Sequence, residues 1–99
     1  MARYEIAQID RVALGETPAG ADTFFELGMM YSTGRTVPTD FVTAHKWFNL
    51  AAMKGNRDAV RLRQEIAGQM SEAEIAAAQR AARAFSLAGE PTFAVRAAA

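Results

Sequence analysis

The sequence predicts an all-α fold of about five helices joined by short loops. Three observations carry that expectation. Apolar residues recur at i, i+3, i+4 and i+7 through most of the chain, and no run alternates apolar with polar over a strand length. Glycines and cap-forming residues punctuate these periodic stretches at helix-length intervals. The chain holds 22 alanines among 99 residues, against six Phe, two Tyr and one Trp. Alanine is the best helix former but buries little area, so the composition favours closely packed helices around a few large anchors.

The first expected helix covers residues 3–14, with Ile6, Ile9 and Ala13 at helical spacing and Gly15 as its stop. Several starts compete for the second. Thr17–Pro18 suits an N-cap and first position, Asp22 and Thr23 are later caps, and Thr23 with Glu26 has capping-box spacing. Its stripe is Phe24, Leu27, Gly28 and Tyr31, and Gly34 supplies a left-handed stop. Asp40 or Thr39 caps the third helix, whose stripe is Ala44, Trp47, Phe48 and Ala51, ending at Gly55. Asn56 caps the fourth, Asp58 suits its N-terminal dipole, and Ala59, Leu62 and Ile66 face inward. Gly68 and Gln69 close it. Ser71 and Glu74 form a capping box for the fifth helix, flanked by Met70 and Ile75 as a hydrophobic staple. That helix runs to about Leu87, turns Ile75, Ala78, Ala82 and Phe85 inward, and stops at Gly89 and Pro91.

Bulk numbers exclude several function classes. With no cysteine there is no disulfide scaffold, thiolate zinc site or cysteine nucleophile, and one histidine argues against a His-rich metal centre. No cofactor is expected. Net charge is zero from 11 basic and 11 acidic side chains, which argues against nucleic-acid binding. Charge is nonetheless uneven. Residues 1–40 hold three Arg and six acids, a net of −3, and residues 41–99 hold eight bases and five acids, a net of +3. No stretch approaches the roughly 20 apolar residues that cross a bilayer, and the first residues lack a signal-peptide apolar core. The expectation is a cytoplasmic protein without a membrane segment.

One spacing links these features: Leu27-Gly28-x-x-Tyr31-x-x-Gly34-x-x-Val37-x-x-Asp40-x-x-x-Ala44-x-x-Trp47-x-x-x-Ala51-Ala52-x-x-Gly55-x-x-x-Ala59. It resembles the repeat of the Sel-one-like family, a relative of the tetratricopeptide repeat. The match covers residues 23–59. Gly28 lets the partner helix approach, and Ala44, Ala51 and Ala52 are small residues facing it. Tyr31 and Trp47 fill the space left over, and Val37 plugs the loop into the core. The resemblance implies an α/α superhelix of antiparallel helix pairs, with one full repeat and capping helices. The chain departs from the family pattern at Thr36, where a glycine is usual, so a different turn is expected there. In a following repeat, the family's leucine, glycine and tyrosine would fall on Arg63, Gln64 and Ala67, with Leu62 one place early. That unit therefore reads as a degenerate closing pair. One domain spanning residues 1–91 is expected: a helix over 1–15, the repeat over 16–58, the closing pair over 59–88, and a frayed tail over 92–99.

The resemblance further implies a non-catalytic adaptor that holds a partner protein or peptide on a concave face. Helix geometry puts Phe25, Met29 and Ser32 on that face from the second helix, and Asp58, Arg61 and Glu65 from the fourth. The competing expectation is that the first helix covers Phe25 and Met29 as ordinary core. Repeat arrays usually need about three units, so a self-associating homodimer is the alternative. The basic set Arg57, Arg61 and Arg63, preceded by Lys54, reads as a solvated face, as do Arg80 and Arg83. His45 reads as a lone exposed histidine. No nucleophile motif is present, and Glu72 and Glu74 are explained by capping, so an enzyme is not expected.

Overall fold

The structure is a computed structural model, and it describes residues 20–89. Every regular element among them is a helix: α1 Ala21–Thr33, α2 Phe41–Met53, α3 Arg57–Ala67 and α4 Glu72–Gly89. These are the second to fifth expected helices. The first, over residues 3–14, lies outside the described residues, as do the Thr17–Pro18 start, Pro91 and the tail.

Local chemistry sets most boundaries. The Asp40 side chain accepts from the Thr43 N–H at 3.2 Å and from the Thr43 hydroxyl at 2.8 Å, so Asp40 rather than Thr39 caps α2. Asn56 Oδ1 accepts from the Ala59 N–H at 2.9 Å to open α3. Ser71 and Glu74 close both halves of the capping box, at 2.9 and 3.1 Å, at the start of α4. At the end of α1, Gly34 adopts φ 74° and its N–H donates to the Met30 carbonyl.

Two local expectations are corrected. Neither Asp22 nor Thr23 caps α1. The helix starts at Ala21 behind Gly20, which makes no side-chain cap bond. Thr23 is instead buried, because its position one turn before Leu27 points it at the core. The second correction concerns Val37, which is half-buried and outside the cluster it was expected to plug.

Helix α2 organises the packing. It makes the substantial helix–helix contacts with α1, α3 and α4, whereas those three approach one another only slightly. The reason lies in its composition. Ala44, His45, Trp47, Phe48, Leu50 and Ala51 are all buried, so α2 is apolar around most of its circumference and needs neighbours on several sides. The Trp47 ring stacks on Phe24 at 5.7 Å and meets Phe85 edge-on at 5.1 Å, joining α1, α2 and α4. Close approach of α1 depends on Gly28. A Cβ built there would lie 2.5 Å from two carbons of the fully buried Phe48 ring.

The loop after α1 contains the chain's one strained position among the described residues. Thr36 sits at φ 68°, in the left-handed region, where a β-branched residue is an outlier. It thus adopts, as a threonine, a conformation that glycine takes without cost.

Candidate functional site

Phe25, Met29 and Ser32 lie along one side of α1, each half-buried. They flank the stripe of Phe24, Leu27 and Gly28 that faces α2. Phe25 and Met29 both pack on the edge of the core, and the Phe25 ring lies 5.8 Å from that of Phe48. Each is therefore part core and part surface. The Ser32 hydroxyl donates to the Met29 carbonyl at 3.3 Å, which leaves its lone pairs for a ligand.

Asp58, Arg61 and Glu65 are exposed on α3. Arg61 bridges the two acids, at 3.8 Å from Asp58 and 3.3 Å from Glu65. This i,i+3 and i,i+4 arrangement neutralises the trio locally, and exposed pairs of this kind contribute at most about 0.5 kcal/mol. The structure does not draw the six residues into one pocket. They sit on two helices that pack on α2 with little contact between themselves.

Neither of two open grooves includes any of the six. One runs between the end of α2 and the second half of α4, with a volume of about 500 Å³, past Asn49, Met53, Gln79, Ala82, Arg83, Ser86 and Leu87. The other, of similar volume, lies at the starts of α2 and α4 beside Tyr31, Pro38 and Phe41. Its carboxylates, Asp40 and Glu74, already serve as helix caps.

Two polar readings are overturned. His45 is buried, at 3% exposure, rather than lone and exposed. Burial holds its imidazole pKa below the ordinary 6.5, and the nearby Arg63 charge lowers it further, against a smaller opposing hydrogen-bond effect. Its Nδ1 has no hydrogen-bond partner among the described residues, and the same is true of Trp47 Nε1. A sequence signal for this burial exists. Phe41, His45, Phe48 and Ala52 form a second helical stripe on α2, and the other three members all join the core.

Arg63 is the second case. It is half-buried rather than solvated, and donates to Asn49 Oδ1 at 2.6 Å, tying α3 to α2. Lys46 is also half-buried, with its ammonium 4.2 Å from the Trp47 ring centre and 5.4 Å from that of Phe85. Desolvation lowers its pKa.

Among the described residues, no group of three or more His, Cys, Asp or Glu is placed to hold a metal ion. None of the described helices is long and apolar enough to cross a membrane. Comparison with protein-family models, curated proteins and solved structures finds no match to this chain. The class defined by the fold is therefore an all-α unit of helices gathered on a central one, and the Sel-one-like resemblance rests on its residues alone.

Proposed function

We propose that this chain is a small non-catalytic interaction module of the Sel-one-like type, holding a peptide or helix of a partner protein on a concave face. One observation supports this above others. Phe24, Leu27 and Gly28 supply the α1 surface that packs deepest into the core, yet Phe25 and Met29 continue that apolar surface and stay only half-covered. Apolar surface left beside a rigid scaffold suits a protein partner. Phe25 offers a stiff anchor and Met29 an adaptable one. Ser32 borders them. Asp58, Arg61 and Glu65 stand apart from this surface on α3, and their mutual pairing limits them to long-range steering rather than affinity.

A nucleic-acid partner is disfavoured on the same grounds. Of the three arginines in the basic set, Arg61 is paired with acids and Arg63 is tied to Asn49.

The test compares Met29→Glu with Val60→Glu, a control on the exposed face of α3. Tagged protein is used to capture partners from extract of the source cells. Both variants should keep the parent's helical circular dichroism. A partner held by the parent and by Val60→Glu but lost by Met29→Glu supports the reading. If no captured protein depends on Met29, the reading fails.

A further inference from the structure

The groove between α2 and α4 has a one-sided chemistry. Met53 and Leu87 rise at its rim, 65% and 58% exposed, the two most exposed large apolar side chains among the described residues, and buried Ala82 lies at its base. Among the described residues, Arg83 is the only charged side chain in the lining, and none forms an ion pair with it. Asn49 already uses its amide oxygen to accept from Arg63, so its free hydrogen-bonding capacity is mostly the NH₂ donor pair. Among the described residues, no acid lines the groove to satisfy these donors.

We propose that this groove docks an acidic, apolar peptide segment of a partner protein, with an aliphatic side chain between Met53 and Leu87 and a carboxylate on Arg83. Charge complementarity selects the acidic partner, because a basic segment would set like charge against the Arg83 guanidinium. A second copy of the chain fits less well. A stable dimer buries about 800 Å² per protomer, and beyond Met53 and Leu87 the only large apolar side chain exposed among the described residues is Val60, on α3. This surface is separate from the Phe25 and Met29 face and stands independently of it.

Fluorescence anisotropy of the full chain with two labelled synthetic peptides tests the proposal. Both are about three helical turns long, with leucine at i, i+3, i+4 and i+7. One carries glutamate at the remaining positions and the other lysine. The glutamate peptide should bind saturably and the lysine peptide at least about tenfold more weakly, the loss expected for one charge-assisted contact. Arg83→Ala and Leu87→Ser should each weaken the glutamate peptide to a similar degree, whereas Val60→Glu, on the exposed face of α3, should leave it unchanged. Equal binding of both peptides, or no saturable binding of the glutamate peptide, overturns the proposal. So does loss through Met29→Glu instead of Arg83→Ala, which would move the contact to the α1 face. A homodimer seen by light scattering that Leu87→Ser dissociates would give the groove to a second copy, and would equally refute it.

Discussion

Replacing Gly28 with alanine should destabilise this protein, although alanine is the better helix former. The added Cβ would stand 2.5 Å from Cδ1 and Cε1 of Phe48 and 3.0 Å from its Cγ. Carbon atoms in contact prefer about 3.5–4.0 Å, so the ring must retreat by about 1 Å. It has nowhere to go, since Phe48 is fully buried and the Phe25 ring packs beside it. Overpacking of this kind costs about 1–3 kcal/mol, and a direct clash with a locked ring belongs at the upper end. The gain in helix propensity returns about 1 kcal/mol. The net expectation is a loss of about 2 kcal/mol, or about 8–16 °C in melting temperature for a domain this size. Thermal melts followed by circular dichroism at 222 nm would measure it. Gly68→Ala is the matched control, because its backbone is already right-handed and its Cβ would meet only the Glu65 carbonyl at 3.4 Å. It should be neutral or slightly stabilising. Adding Phe48→Leu to Gly28→Ala should recover stability relative to the sum of the single changes. A Gly28→Ala melt at or above the parent's, or a double-mutant cycle with no coupling, would refute the close approach of α1 and α2.

Three further outcomes follow from named contacts. Trp47→Ala should cost about 3–5 kcal/mol, because the indole joins three helices through Phe24 and Phe85; urea denaturation near the parent midpoint would contradict this. Thr36→Gly should raise stability by about 1 kcal/mol by relieving a left-handed threonine, and an unchanged or lower melting temperature would mean that the loop draws compensating support from the side chain. Stability should also fall as pH drops below about 6.5. His45 has a depressed folded-state pKa, so in that window the unfolded chain binds more protons than the folded one. His45→Gln should flatten this dependence between pH 7 and 5, and an identical profile for the variant would remove His45 as its source.

The candidate site was less legible than the helices. Phe25 and Met29 could be named from their place beside the α1 stripe, since helical spacing alone says which residues share a face. Their degree of cover depends on neighbours distant in sequence. For Arg61 the pairing with Asp58 and Glu65 was readable because all three fall within two turns of one helix. The groove of Met53, Arg83 and Leu87 was not readable. It exists only where α2 and α4 lie side by side, and no spacing rule relates residue 53 to residue 87.

What the sequence determined by itself was local. Asp40, Asn56, Ser71 with Glu74, and Gly34 each act within three or four residues of the backbone groups they satisfy, and those interactions need no knowledge of the fold. Tertiary structure decided the rest. It made α2 the centre, buried His45, drew Arg63 onto Asn49 and placed Lys46 over the rings of Trp47 and Phe85. Each outcome turns on which helix faces meet, and burial is a property of that meeting rather than of any one residue type. A histidine on a secondary apolar stripe, or an arginine one turn beyond a buried alanine, is buried or left in water according to whether a neighbouring helix covers that face.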